Sequence, residues 1–200
     1  IPIFENMGLK VLDEVPYLLK PKVGANVWMH DFGLTTPNSN HIDLEAIDET
    51  FGETFERVWL GEIENDGFNA MVTSSGLSWR YVVLLRAYCK FLRQTGIPYS
   101  ESYMIQTLSK NAHITENIIK LFESFFDPKK KRSTSNSNRI QRHIKLSLEK
   151  VQILDEDRIL NRFKNLIEAT LRTNFYQVDK RANQKPYISF KFNSSQLIDL

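Results

Sequence analysis

The chain has 200 residues, of which 42% are hydrophobic and 25% charged, with 26 basic side chains against 24 acidic ones. This composition is typical of a globular protein and excludes a wholly disordered chain. The net charge of +2 argues against a dedicated nucleic-acid-binding protein, because such proteins usually carry a strong basic excess. The longest strongly apolar run, residues 81–85, is too short to span a bilayer, and no signal peptide is recognisable. The single cysteine fits a cytoplasmic protein, and the start without Met indicates a piece of something longer.

Glycine spacing excludes the common nucleotide-binding motifs. All eight glycines lie at or before Gly96, and no Gly-x-Gly occurs that could bring the backbone close to a pyrophosphate. The sequence also contains no phosphate-binding loop, no Gly-x-Ser-x-Gly, no His-Glu-x-x-His and no Cys-x-x-Cys. We therefore expect no catalytic residue, no cofactor-binding residue and no metal ligand in this chain.

Residues 1–36 predict a β-hairpin. Two apolar runs, 9–19 and 25–34, are rich in β-branched and aromatic residues and are separated by Pro21 and Gly24. Pro16 inside the first run indicates an edge strand or a bulged strand. Because two strands alone bury too little surface to be stable, we expect the hairpin to complete a sheet with strands upstream.

Residues 37–127 predict a helical motif, because their apolar residues recur at three- and four-residue spacing. The first helix is expected to start at Ser39 or Asn40, to end at Gly61, and to carry an apolar stripe of Leu44, Ile47, Phe51, Phe55, Val58 and Trp59. Four further helices are expected: a short one ending near Gly76, one capped by Ser78 and ending at Gly96, one from Ser100, and one from about Thr115. We expect Trp59 and Trp79 to be buried core anchors.

The last third of the chain begins with a predicted flexible linker, residues 128–138, which hold no large apolar side chain. Two more helices are predicted over 139–178, the second capped by Asp155, and an alternating stretch from Tyr187 to Phe192 predicts a strand within 179–200. The sequence therefore predicts an α+β fold that is mainly α-helical, with short strands at both ends.

The tetrapeptide His30-Asp31-Phe32-Gly33 contains two partial catalytic motifs. Asp-Phe-Gly resembles the magnesium-binding element of protein kinases, and a His-Asp doublet resembles one element of metal-dependent phosphohydrolases. Both chemistries need further residues, which the sequence does not offer in the right order. We interpret the tetrapeptide as a strand end with a polar turn.

Three other groups are better explained by structure than by chemistry. The basic run Lys129–Arg132 lies among Ser and Asn without aromatic neighbours, so we interpret it as a solvated loop. Cys89 lies among apolar residues, which favours a buried side chain over a nucleophile. Two acidic groups, Glu62, Glu64 and Asp66 and then Asp155, Glu156 and Asp157, are interpreted as helix-capping carboxylates.

Blocks along nearly the whole chain resemble the large bacterial NAD-specific glutamate dehydrogenases, in the region ahead of the catalytic domain. The blocks are 3–11, 16–17, 27–34, 55–59, 64–69, 76–80, 84–88, 92–98, 121–123, 154–160, 167–174 and 185–191, with 127–138 fitting least well. The resemblance implies that residues 1–36 are the tail of a small regulatory module of the ACT type. It also implies that the catalytic Lys and the nucleotide-binding domain lie beyond the position of Leu200, so no catalytic residue can be assigned here.

The resemblance implies a parent enzyme that oxidises L-glutamate to 2-oxoglutarate and ammonia with NAD, as a cytoplasmic homo-oligomer. Our first hypothesis is a non-catalytic segment for regulation and assembly, without its own cofactor, whose partners are other domains and subunits rather than nucleic acid or membrane. The alternative is an independent helical interaction module with no enzymatic parent. An enzyme that uses His30 and Asp31 is the third hypothesis and the least favoured.

Overall fold

The computed structural model describes residues 1–36 and 44–197. Its helices and strands are, in chain order, α1 Pro2–Asn6, β1 Lys10–Leu19, β2 Val27–Thr35, α2 Leu44–Trp59, α3 Ala70–Ser75, α4 Trp79–Gln94, α5 Glu101–Lys110, α6 Ala112–Phe126, α7 Thr134–Leu148, α8 Leu154–Ala169, β3 Thr170–Thr173 and β4 Phe190–Phe192. Short 3-10 turns, Gly67–Asn69 and Ser194–Gln196, precede α3 and follow β4. The fold is α+β and mainly helical, with a small antiparallel sheet near each end, which confirms the predicted fold class.

The first sheet pairs β1 with β2 in antiparallel register, with an irregularity between Val11 and Asp13. There the Asp13 carboxylate accepts the backbone N–H of Gly33 at 3.0 Å. A Cβ at Gly33 would lie 2.2 Å from the Asp13 carboxylate oxygen, so a larger residue there would displace this carboxylate from its hydrogen bond. The irregularity therefore lies at the base of the hairpin and not at Pro16, which has a regular partner in β2.

Helix α1 attaches this hairpin to the helical body, and the sequence did not indicate it because five residues are too few for a periodic pattern. Met7, directly after α1, is fully buried, and its carbonyl accepts the Thr73 hydroxyl at 2.7 Å. Phe4 stacks on Phe55 of α2, with ring centroids 5.1 Å apart. Because the carbonyl and the ring contact two different helices, the hairpin has a fixed attachment point on the body.

The hydrophobic core surrounds α4. This helix buries apolar side chains on more than one face: Val82, Leu84, Leu85, Tyr88, Cys89 and Leu92. The facing side chains come from the surrounding helices and include Met71, Met104, Leu108, Ile118, Phe122, Leu160, Phe163 and Ile167. Each such burial stabilises the fold by roughly 1.5–3 kcal/mol relative to an exposed side chain. Helix α4 is therefore the central helix, not a surface helix with one apolar stripe.

Several helix boundaries follow their predicted signals. Ser100 caps α5, because its hydroxyl accepts the Tyr103 N–H at 3.2 Å, and Gly76 ends α3 with a left-handed φ of 60°. Two helices start at other residues than predicted. Helix α6 begins at Ala112 rather than near Thr115. Helix α8 begins at Leu154 after Ile153, so Asp155 lies in its first turn and is not the cap. The proposed caps Ser39 and Asn40 lie outside the described residues.

The predicted linker is shorter than expected, because α7 already begins at Thr134. The Ser133 hydroxyl accepts the Asn136 N–H, and Ser137 is buried with its hydroxyl 3.1 Å from that of Ser124 in α6. Ser and Asn are favoured at the first turn of a helix as well as in linkers. A run of Ser and Asn therefore does not distinguish a linker from the start of α7. Residues 127–133 alone separate α7 from α6.

The prediction that Trp59 is a core anchor is wrong. It is the last residue of α2, is 72% exposed, and packs only as an outer ring on Phe55, with centroids 6.2 Å apart. Among residues 48–59 of α2, whose side chains the structure describes, the buried ones are Thr54 and Val58. Trp79 is half-buried rather than buried, with its indole N–H donating to Glu53 at 2.9 Å.

The second sheet pairs β3 with β4, and the sequence predicted only β4. Strand β3 follows α8 without a break, so its four residues continue an apolar pattern that looks helical. Phe190 and Phe192 face the body, whereas Lys191 between them is exposed. The described helices are all too short or too polar to cross a bilayer.

Candidate functional site

Helix α4 is joined to the loop between β3 and β4 by a buried arginine. Arg80 is 5% exposed, and its guanidinium donates to the backbone carbonyls of Lys185 at 2.9 Å and Phe175 at 3.3 Å. Burial lowers the pKa of Arg80, with a smaller contribution from the nearby charge of Arg57. A guanidinium nevertheless stays charged near neutral pH, so both bonds are charge-assisted.

Aromatic rings extend the contact between α4 and the C-terminal hairpin further along this helix. Tyr88 is fully buried and stacks on Phe190 of β4 with centroids 4.6 Å apart. The Tyr88 hydroxyl lies 3.0 Å from the Thr170 hydroxyl, which itself donates to the Leu166 carbonyl at 2.6 Å. Because Thr170 has one proton to donate, Tyr88 must be the donor to Thr170. Burial raises the pKa of Tyr88, so this donor keeps its proton across the physiological range.

A chain of hydroxyls connects α4, α6 and the C-terminal loop. The Tyr81 hydroxyl donates to Glu123 of α6 at 2.5 Å and lies 3.3 Å from the Tyr176 hydroxyl. Since the Tyr81 proton is given to Glu123, Tyr176 donates to the Tyr81 oxygen. The other Glu123 oxygen accepts Lys130 at 2.6 Å. Burial is the main cause that raises the pKa of Tyr81 well above its usual range and that of Tyr176 to about 12.

We call this set the coupling core: Arg80, Tyr81, Tyr88, Glu123, Phe175, Tyr176, Phe190 and Phe192. Its phenols are protonated near neutral pH, and the two terminal nitrogens of its one arginine donate to carbonyls, whereas the buried Nε of Arg80 has no hydrogen-bond partner in the described residues. Its one carboxylate, Glu123, is already bound to the Tyr81 hydroxyl and to Lys130. The coupling core thus holds α4, α6 and the C-terminal loop together through buried and half-buried contacts.

The structure does not assemble a catalytic site around His30 and Asp31. The His30 imidazole lies 2.6 Å from the Glu14 carboxylate on the neighbouring strand, and Asp31, the next residue in β2, points to the opposite face of the sheet. Within residues 1–36 and 44–197, no three His, Cys, Asp or Glu side chains come together as a group able to hold a metal ion.

Cys89 is buried on α4, 4.0 Å from the Met104 sulfur, and burial raises the pKa of its thiol to about 12. A thiol with this pKa is protonated at neutral pH and is a poor nucleophile. The prediction of a buried apolar side chain is confirmed.

The first acidic group has a role that sequence reasoning missed. Asp66 does cap the turn before α3, since it accepts the Phe68 N–H at 3.0 Å, but its carboxylate also forms a bidentate pair with Arg86 at 2.7 and 2.8 Å. Arg86 is 1% exposed at the centre of α4. Glu64 contacts Lys90 at 2.6 Å, and this hydrogen bond is the largest cause that lowers the pKa of Glu64.

The remaining acidic residues also do more than cap. Glu62 pairs with Arg57 at 2.7 Å, so the capping interpretation is wrong for it. Asp155, Glu156 and Asp157 do occupy the first turn of α8, where negative charge is favourable. Glu156 is buried there and accepts Lys110 of α5 at 2.7 Å.

The basic run Lys129–Arg132 is exposed but not simply a solvated loop. Lys130 pairs with Glu123 of the coupling core, and Arg132 lines a cleft beside β3 and β4. The signal that sequence reasoning overlooked is the position of Arg80 and Arg86 among the apolar residues of the first half of α4. A charged residue at a core position requires a buried partner, and both arginines have one.

Three family models match successive parts of the chain, and all three describe domains of glutamate dehydrogenases. The model of the glutamate dehydrogenase ACT3 domain matches residues 1–47, that of the glutamate dehydrogenase helical motif 3 matches 63–128, and that of the bacterial NAD-glutamate dehydrogenase catalytic domain matches 143–200. Helices α4 and α6 thus fall in one match, and β3 and β4 in another. The coupling core lies where these two matches meet.

Curated relatives show which class of glutamate dehydrogenase the chain resembles. NAD-specific glutamate dehydrogenases of Pseudomonas aeruginosa, Halomonas elongata and Mycobacterium tuberculosis are 38%, 37% and 35% identical to this chain over 100%, 98% and 100% of its length. The chain spans 12–13% of the length of these relatives. It belongs to the large bacterial NAD-specific glutamate dehydrogenases, as the sequence resemblance predicts, and an independent helical module with no enzymatic parent is not supported. The expectation that the whole chain lies ahead of the catalytic domain is wrong for residues 143–200, which the catalytic-domain model matches.

The residues described here do not fit a dinucleotide site. Such a site needs a glycine-rich turn between a strand and a helix in a parallel sheet. Both sheets in the described residues are two-stranded antiparallel hairpins, and no glycine follows Gly96. We therefore derive no step of the reaction through NAD from this chain.

Proposed function

We propose that this chain is a non-catalytic segment that couples the ACT-type and helical regions to the catalytic domain of an NAD-dependent glutamate dehydrogenase. In this proposal the whole protein converts L-glutamate, NAD and water to 2-oxoglutarate, ammonia and NADH in the cytoplasm. NAD binds outside this chain, which supplies no catalytic residue and no metal ligand. Its partners are the other domains and subunits of a homo-oligomer, with no nucleic acid and no membrane.

The observation that carries the proposal is the coupling core. Arg80 and Tyr88 of the helical-motif match are both buried, and they bind residues of the catalytic-domain match through two hydrogen bonds and a ring stack. Two domains with a shared buried core move together, because separating them exposes apolar surface and leaves a buried guanidinium unpaired.

The N-terminal hairpin supports a role in assembly. It exposes large apolar side chains over both faces: Leu12, Val15, Tyr17, Leu18, Leu19, Val27, Trp28 and Met29. Exposed apolar groups in such number mark a surface that contacts another domain or subunit. This contact is the second half of the proposed function, with the hairpin linking the body to the rest of the assembly.

The test uses the full-length protein with Arg80→Met and a control, Arg93→Met, on the same helix. Arg93 is exposed and pairs only with Glu101, so its replacement should leave stability and activity close to wild type. Arg80→Met should lower the melting temperature and the active fraction, with the KM for glutamate within twofold of wild type. A severalfold change in KM at unchanged stability would place this segment at the substrate and overturn the proposal, as would a wild-type protein that forms no NADH from glutamate.

A further inference from the structure

Two cations face each other across the C-terminal hairpin. Arg172 of β3 and Lys191 of β4 are register partners, and both side chains are exposed. Neither has a carboxylate partner in the described part of the chain. Like charges directly opposite each other on an antiparallel pair destabilise it. A pair of this kind points to an anion that neutralises it.

The two cations line a cleft of about 620 Å³, within the range of small-molecule sites. Arg132, from the loop before α7, lines the same cleft, so cations come from two separate parts of the chain. The other described residues that line it are all neutral, among them Phe126, Asn174, Tyr176, Gln177 and Tyr187, so no carboxylate of the described part of the chain lines the cleft.

The nearby carboxylates are already engaged elsewhere. Glu123 holds both Lys130 and the Tyr81 hydroxyl, and Asp127 accepts the backbone N–H of Lys129 at 2.9 Å. Asp179 accepts backbone N–H groups of its own loop, and these bonds are the main cause that lowers its pKa. Of these three carboxylates only Glu123 is paired with a cation, but none of them is among the described residues that line the cleft, so the lining itself carries three positive charges and no negative one.

We propose that this cleft binds a small polyanion, a molecule that carries two or more phosphate or carboxylate groups. Arg172 and Lys191 hold one anionic group and Arg132 holds another. A guanidinium binds either group through two parallel hydrogen bonds, and lysine adds a point charge. The aromatic side chains of Phe126, Tyr176 and Tyr187 provide walls for the rest of the molecule.

The site goes beyond the coupling function, but it adjoins the coupling core. Tyr176 lines the cleft and donates to Tyr81 of α4. A bound polyanion would thus contact the same side chain that links the C-terminal loop to the helical body.

Titration calorimetry of the full-length protein, without NAD and at constant ionic strength, tests the site with two probes. Inorganic pyrophosphate represents phosphate ligands, and tricarballylate represents carboxylate ligands. The variants are Arg172→Gln combined with Lys191→Gln, and Lys191→Glu alone. The control combines Lys180→Gln with Arg181→Gln, which removes the same charge from two exposed residues that do not line the cleft.

At least one probe should bind the wild-type protein, with a Kd at least tenfold weaker in both cleft variants and within twofold of wild type in the control. The tighter probe identifies the anionic group. Lys191→Glu places a carboxylate opposite Arg172, so its melting temperature should equal or exceed that of wild type, which separates lost binding from lost folding.

Three results would overturn the proposal. The first is that neither probe binds at millimolar concentration. The second is that the probe binds the wild-type protein and the cleft variants with equal affinity, as expected for a nucleotide site elsewhere in the protein. The same holds if the control variant weakens binding as much as the cleft variants do. The third is a Lys191→Glu protein that melts well below wild type, which would contradict the like-charge argument.

Discussion

Replacing Tyr88 measures how much the coupling core contributes to stability. Tyr88→Phe removes one buried hydrogen bond, from its hydroxyl to Thr170, and keeps the ring on Phe190. The expected loss is about 1 kcal/mol, because the Thr170 oxygen keeps only its donor bond to Leu166. Tyr88→Ala also empties the space of a fully buried ring, so the loss should be about 3–5 kcal/mol. That is a large fraction of the roughly 5–15 kcal/mol that stabilises a domain.

The assay is urea unfolding of the full-length protein, with hydrogen exchange to locate the change. Tyr88→Ala should reduce amide protection in α4 and in β3 and β4 together, because these elements share the ring. The control is Trp59→Ala, which removes an aromatic ring that is mostly exposed and should cost less than about 0.5 kcal/mol. If Tyr88→Ala cost less than 1 kcal/mol, or lowered protection in β4 alone, the reasoning would be refuted.

Three further predictions concern single sites. Cys89 should react with iodoacetamide at pH 8 only after unfolding, because its thiol has a pKa of about 12; rapid labelling of the native protein would contradict its burial. Limited trypsin digestion should cut first between Lys129 and Arg132, which lie in an exposed loop, and cutting first at Arg93 within α4 would show that the body is not packed as described. The pKa of Glu64 is lowered in the folded state, so ionised Glu64 stabilises the fold fully above its ordinary pKa of 4.5, and this stabilisation is lost as the pH falls from there through the lowered pKa. The Glu64→Gln protein should therefore lose less stability than wild type at acid pH, measured by the melting temperature between pH 3 and 6.

Helices whose ends are marked by a capping residue or a glycine could be predicted from the sequence. Ser100 and Gly76 mark helix ends by a hydrogen bond and by backbone conformation, which are local effects. Cys89 was placed correctly because Tyr88, Phe91 and Leu92 around it are apolar or aromatic. Errors arose where the same residue types serve two purposes, as in the Ser and Asn run that contains the start of α7.

The coupling core could not be predicted, because its contacts join residues far apart in the sequence. Periodicity identifies which face of a helix is apolar, but it does not tell which element covers that face. Trp59 fits the stripe of α2 and is nevertheless exposed, whereas Tyr88 is fully buried and stacks on Phe190 of β4, 102 residues later in the chain. Arg80 and Arg86, which lie among apolar residues in the first half of α4, could have signalled that this helix is covered on several sides.

The bond from Arg80 to Lys185 also has a consequence for synthesis of the protein on the ribosome. Its two ends are 105 residues apart, so α4 leaves the ribosome long before the hairpin that covers it. At about 5–20 residues per second, the Tyr88 face stays uncovered for roughly 5–20 s. During that interval the nascent chain presents an unpaired guanidinium and apolar rings to its surroundings. Chaperone binding to ribosome-bound chains should therefore be strongest when α6 has emerged from the ribosome but β4 has not. It should fall once residue 192 has emerged.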